Sequence, residues 1–210
     1  VSKLSKERLL DELSKIIKFH TLEKLIKDKL SLDLILLIFP ELKNFEIFSK
    51  LNLNIKELLK KKDFIFLLSL MIIDGSDNVD YFLYKFNISK KNQKRIKIIN
   101  NFYKEKITKK SISEKNLNKI FYYKGKQAVD DILYFRLVKL KKFDKKLVSL
   151  INLYKDKSIP IMPVGAEVLM NKYKISEGKQ LGFKLQMIEK SWVDNNFEIS
   201  EKQVENIIYN

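Results

Sequence analysis

The chain has 210 residues, 45% of them hydrophobic, with no cysteine, one histidine (His20) and a formal net charge of +16 from 42 basic and 26 acidic residues. That length and apolar content suffice for one large or two small cored domains and exclude a disordered chain. The missing cysteines exclude disulfides and Cys/His zinc sites and allow a cytoplasmic setting.

Apolar residues recur at helical spacing almost throughout, without strand alternation or tight hairpin signals, so the chain is expected to be all-α. It opens on Val1-Ser2-Lys3-Leu4 with no leader pattern and no methionine, as a piece of a longer protein would. Ser5 is the expected N-cap of a first helix, with Glu7 in its first turn and Leu9, Leu10, Leu13, Ile16 and Ile17 as the buried stripe. A second helix is expected from Thr21, and a third over Leu32 to Phe39, stopped by Pro40. Short helices at Phe45 to Leu51 and Ile55 to Lys60 lead to Phe64 to Ile73, an apolar run broken only by Ser69. That run is too short to span a bilayer and reads as a buried helix, so no membrane span is expected. Asp74-Gly75-Ser76 is a turn. Helices then follow at Asn78 to Phe86, Lys90 to Lys104 and Glu114 to Tyr123, with Gly125 as a C-cap, then at 127–140 and 144–155.

Three of the five glycines and two of the three prolines lie in residues 160–192. The spacing predicts a helix from Ala166 to Tyr173, a turn through Ile175 to Gly178, and a second helix running to Trp192. The N-terminus of that second helix suits a phosphate, with Lys179 and Lys184 adding charge and Gly182 allowing close approach of a neighbouring backbone. The alternative is a hairpin whose glycines serve packing alone. Ser200 with Gln203 has capping-box spacing for a terminal helix. A composition break at Lys157 to Val164 and a softer one at Ile55 to Asp63 divide the chain into 1–60, 61–157 and 158–210.

Positive charge is concentrated between Lys85 and Lys126, where fourteen Lys or Arg face only Glu105 and Glu114, a local net of +12. Such a segment draws polyanions, with nucleic acid as the first candidate and an acidic protein or membrane surface as the others. Arginine is confined to Arg8, Arg95 and Arg136, and a composition heavy in Lys, Ile and Asn also arises in an AT-biased genome.

No complete active site is visible. His20 reads as a helix-boundary residue, Asp130-Asp131 as a solvated face and Asp74-Gly75-Ser76-Asp77 as a turn, and neither a phosphate-binding loop nor a dinucleotide fingerprint is present. No catalytic or metal-ligating residue is therefore assigned within the chain.

Leu4-Ser5-Lys6-Glu7-Arg8-Leu9-Leu10-Asp11-Glu12-Leu13 resembles the Ser-x-Glu-Arg-Ile-x-x-Glu-Leu neck helix of bacterial CCA-adding tRNA nucleotidyltransferases and their poly(A) polymerase relatives, and Phe39-Pro40-Glu41-Leu42 resembles the Leu-Pro-Glu-Leu that follows it. Tyr122-Tyr123-Lys124-Gly125, with Ala128 and Asp130, fits the family's middle section. The segments Gly165 to Met170, Ile175 to Gly182 and Glu189-Lys190-Ser191-Trp192 are similar to its Gly-x-Asp-Leu, Gly-Ile-x-Pro-Gly-Pro-x-Leu-Gly and Leu-Glu-x-Trp series. Glu167 replaces the usual Asp, Ser176 and Lys179 stand where prolines are common, and Tyr173 replaces a glycine.

The resemblance implies a multi-helical array of neck (1–60), body (61–157) and tail (158–210), the tail being a small helical hairpin. It implies that the parent enzyme adds C, C and A to tRNA 3′ ends from CTP and ATP with Mg²⁺, in an N-terminal catalytic head that this chain lacks, so that the chain alone transfers no nucleotide and binds no cofactor. Glu7, Arg8 and Glu12 would then support the nucleotide site. Lys90, Lys91, Lys94, Arg95, Lys97, Lys126, Gly178, Lys179 and Lys184 would contact tRNA or other RNA, in the cytoplasm. The alternatives are a poly(A) polymerase of the same family and a non-enzymatic helical nucleic-acid-binding module.

Overall fold

A computed structural model describes residues 5–105 and 112–209, and all regular structure among them is helical, as the periodicity requires. The chain divides into two compact units, Val1–Ile107 with Asp130–Lys155, and Thr108–Val129 with Asp156–Asn210.

In the first unit, α1 (Lys6–Ile16) begins where expected, because the Ser5 hydroxyl accepts the Arg8 N–H at 3.2 Å. It buries Leu13, with Ile17 just beyond its end, and packs on α6 (Asn78–Phe86). Helices α2 (Phe19–Lys27) and α3 (Lys29–Ile38) start earlier than the apolar spacing indicates. Local caps explain both shifts: the Thr21 hydroxyl accepts the Lys18 N–H at 3.1 Å, and Asp28 accepts the Ser31 N–H at 3.2 Å. Phe39 closes α3 ahead of Pro40, a 3-10 turn covers Phe45–Lys50, and α4 spans Leu53–Leu59 under an Asn52 cap.

Helix α5 (Phe64–Ile72) is the centre of this unit. Every residue from Phe66 to Ile72 is buried, and the Ser69 hydroxyl is satisfied by donating to the Ile65 carbonyl at 2.8 Å. Helix α7 (Lys90–Lys104) packs on it, and α9 (Lys126–Leu140) from Asp130 onward and α10 (Lys145–Asp156) as far as Lys155 complete the set.

The adjacent acids Asp130 and Asp131 do not form the solvated face expected of them. Asp131 is fully buried against Arg95, and Asp130 pairs with Lys62. The reason is α9 itself: Val129, Ile132, Leu133, Phe135, Leu137 and Val138 are all buried, so this helix is enclosed on most sides and its acids need cations.

In the second unit, α8 (Glu114–Lys124) packs against α12 (Lys179–Asp194), which also holds α11 (Ala166–Tyr173) and α13 (Glu201–Tyr209). Leu169, Leu181, Ile188 and Val204 form its aliphatic centre. The capping box of α13 forms as expected: Gln203 accepts the Ser200 N–H at 2.8 Å, and its own N–H reaches the Ser200 hydroxyl at 3.3 Å.

Candidate nucleic-acid interface

Helix α7 is capped by the Ser89 hydroxyl and turns Ile96, Ile99, Asn100 and Phe102 inward. Side chains three and four residues apart share a helix face, so Lys90, Lys94 and Lys97 fall on one outward row, with Lys91 beside it; all four are exposed. Among the described residues none of these four has a carboxylate within 4 Å. Further along, Lys104 meets Asp77 at 3.4 Å. The row is thus a line of uncompensated charge on a rigid element, which is what a phosphate backbone requires.

Arg95 lies in the same helix and has a different task. Its Nε and Nη2 donate to the two oxygens of Asp131 at 2.6 and 2.9 Å, and its Nη1 donates to Asp63 at 2.5 Å. Burial alone would lower the guanidinium pKa, but the Asp131 and Asp63 hydrogen bonds outweigh it and raise it. Asp63 also caps α5 by accepting the Phe66 N–H at 3.0 Å. Burial pulls the Asp63 carboxyl up, yet Arg95 and the Phe66 N–H hold it below the usual range. Arg95 therefore ties α5, α7 and α9 together and is not available to RNA as the charge count implied.

The remaining residues of the basic segment divide. Lys106, Lys109 and Lys110 lie outside the described residues. Lys115, Lys119, Lys124 and Lys126 belong to the second unit, where Lys124 and Lys126 are exposed and Lys119 pairs with Asp194. A single run in sequence is therefore shared by two units.

In the tail, Gly178 is the N-cap of α12 at φ +146°, a backbone conformation that demands glycine, as the spacing indicated. Lys179 is exposed beside it. Lys184 is not: it is buried, and its ammonium donates to the Ile207 carbonyl at 2.7 Å, tying α12 to α13. Gly182 is exposed, and a Cβ built on it would meet nothing within 4 Å, so no close approach depends on it. The residues α12 turns outward include Phe183 and Met187.

Among the residues assigned to nucleotide-site support, Glu7 accepts from the Asn87 side chain at 3.2 Å, Glu12 pairs with Lys15 at 2.7 Å, and Arg8 is exposed. The His20 side chain lies outside what the structure describes. Glu41 is buried and accepts from Lys85 at 2.7 Å, while Phe39 packs on Phe86 at 5.2 Å between ring centres, so the Phe39–Leu42 segment rests on α6. Two other distant segments also meet: the Tyr122 hydroxyl donates to Glu189 at 2.8 Å, and its ring lies edge-on to Trp192 at 5.4 Å. Burial, then Glu189, pushes the Tyr122 phenol up to about 12.

Set against known proteins, the chain matches no family model and no curated protein.

Among the described residues no cluster of three or more His, Asp or Glu is placed to hold a metal ion, and no helix is long and apolar enough to cross a membrane. What sequence reasoning overlooked is on α6. Tyr81 and Tyr84 are exposed there, at 58% and 85%, opposite the buried Val79, Phe82, Leu83 and Phe86. Their three-residue spacing against an apolar stripe was a signal available in the sequence.

Proposed function

We propose that this chain is the RNA-holding neck, body and tail portion of a cytoplasmic tRNA nucleotidyltransferase of the CCA-adding and poly(A) polymerase type, gripping tRNA while a catalytic head outside this sequence adds nucleotides. The observation that carries the RNA-holding part is the row Lys90, Lys94 and Lys97, with Lys91 beside it: four exposed ammonium groups on one rigid helix, without carboxylates within 4 Å among the described residues. Phosphate neutralisation with release of counterions is the interaction such a row is built for, and it needs no base-reading code.

The order of the family-like segments supports the assignment to that type of enzyme. So does their packing, since Phe39–Leu42 rests on α6 and Tyr122 engages Glu189 and Trp192. CTP, ATP and Mg²⁺ belong to the head in this reading. Asp130 and Asp131 do not fit a metal, because each is already bound to a cation of the fold.

The test is tRNA binding by the whole chain over a range of salt. Changing Lys90, Lys91, Lys94 and Lys97 together to Gln is expected to weaken binding and to reduce the salt slope by somewhat under about one unit for each phosphate no longer neutralised. An unchanged slope would show that the row is only a solvated surface.

A further inference from the structure

The lysine row borders a concavity whose chemistry differs from simple phosphate attraction. Between α6 and α7 runs a groove of about 560 Å³, lined by Tyr84 and Asp80 from α6 and Lys97 from α7, with Lys6 of α1 and Lys85 at its sides. Tyr84 is 85% exposed, and Tyr81 is exposed on the same face. Lys85 is engaged by the buried Glu41 and is thereby fixed in place, whereas Lys97 and Lys6 have no ion-pair partner among the described residues. An uncovered phenol ring beside free ammonium groups suits a flat, electron-rich ring that carries a phosphate next to it.

Resting on the RNA reading above, we infer that this groove takes an unpaired nucleotide, its base stacked on Tyr84 and its phosphate held by Lys97 and Lys6. Charge complementarity selects a polyanion, with Asp80 the one acid lining the groove among the described residues. The aromatic face then selects among polyanions. A base inside a duplex is covered by its neighbours and cannot stack on a side chain, whereas a base in a loop or single-stranded end can. The lysine row provides affinity for any RNA, and Tyr84 provides preference for unpaired RNA.

The experiment measures binding of the whole chain to a labelled single strand of about twelve nucleotides and to the same sequence as a duplex, within the site sizes typical of single-strand binders. Tyr84→Ala is expected to weaken single-strand binding by about fivefold or more, the lower end of what one stacked base contributes. Duplex affinity, salt slope and melting temperature should stay as in the parent chain. Tyr84→Phe, which keeps the ring, should restore single-strand affinity. Single-strand affinity within about twofold of the parent in Tyr84→Ala, or an equal loss for both RNAs, would overturn the stacking site. If the lysine variant still loses its salt slope in that case, the RNA reading survives and only the stacking fails. Failure of both RNAs to bind the parent chain would defeat both.

Discussion

Helices α7 and α12 both carry lysines expected to contact RNA, yet the fold treats them differently. Helix α7 buries Ile96, Ile99 and Phe102 and turns Lys90, Lys94 and Lys97 outward. Helix α12 turns Lys184 inward onto the Ile207 carbonyl and leaves Phe183 and Met187 exposed. Even within α7 the cations divide, since Arg95 faces Asp131 while its neighbour Lys94 faces solvent. Charge counted along a chain therefore measures two quantities at once, the charge presented to partners and the charge that holds helices together. Only the fold separates them.

The sharpest way to break this division is Arg95→Met. It removes the two-point pairing of Arg95 with the fully buried Asp131, and breaking a buried pair in this way costs about 3–5 kcal/mol. Denaturant unfolding should show that loss. A variant that keeps its stability but binds RNA less well would place Arg95 with the outward lysines.

Gly178→Ala comes next. Forcing a side chain onto the φ of +146° at the start of α12 should cost about 1–3 kcal/mol, read as a lower thermal midpoint. Lys184→Gln should cost about 1 kcal/mol through its lost hydrogen bond and leave tRNA affinity unchanged, whereas the exposed Lys179→Gln should leave the midpoint unchanged. Should Lys184→Gln lower affinity at constant midpoint, the contrast between the two helices fails. The smallest effect has the opposite sign. Gly182 sits in open space within a helix, so Gly182→Ala should stabilise by about 0.5–1 kcal/mol, and destabilisation would reveal a close neighbour.

Much of the helical skeleton was legible because its determinants are local. The bounds of α6, α7 and α11 follow from periodicity and from their neighbouring turns, and the Ser5 cap and the Ser200–Gln203 box follow from a few adjacent residues. The misplaced starts of α2 and α3 were local as well, but they depended on Thr21 acting from inside its helix and on Asp28 serving as both a cap and a connector. The misjudged site residues had another cause. Arg95 finds Asp131 across 36 residues, Lys62 finds Asp130 across 68, and Lys184 finds Ile207 across 23. No window of sequence short enough to show periodicity contains both members of such a pair. The exposed lysines of α7 differ in that their environment is solvent, which needs no distant partner.

The path of the chain through the first unit has a consequence for how it is made. That unit is left at residue 107 and resumed at 130, so Arg95 is synthesised before Asp131, and Phe66 before Tyr134, whose ring meets it edge-on at 6.3 Å. At ribosomal speeds the interval between Arg95 and Asp131 is roughly two to seven seconds, during which the nascent α5 has no α9 against it. Stalling or cleavage between 108 and 129 would strand an apolar helix with part of its cover missing, which is the kind of surface that chaperones bind. The first unit becomes a closed object only when α9 and α10 have emerged.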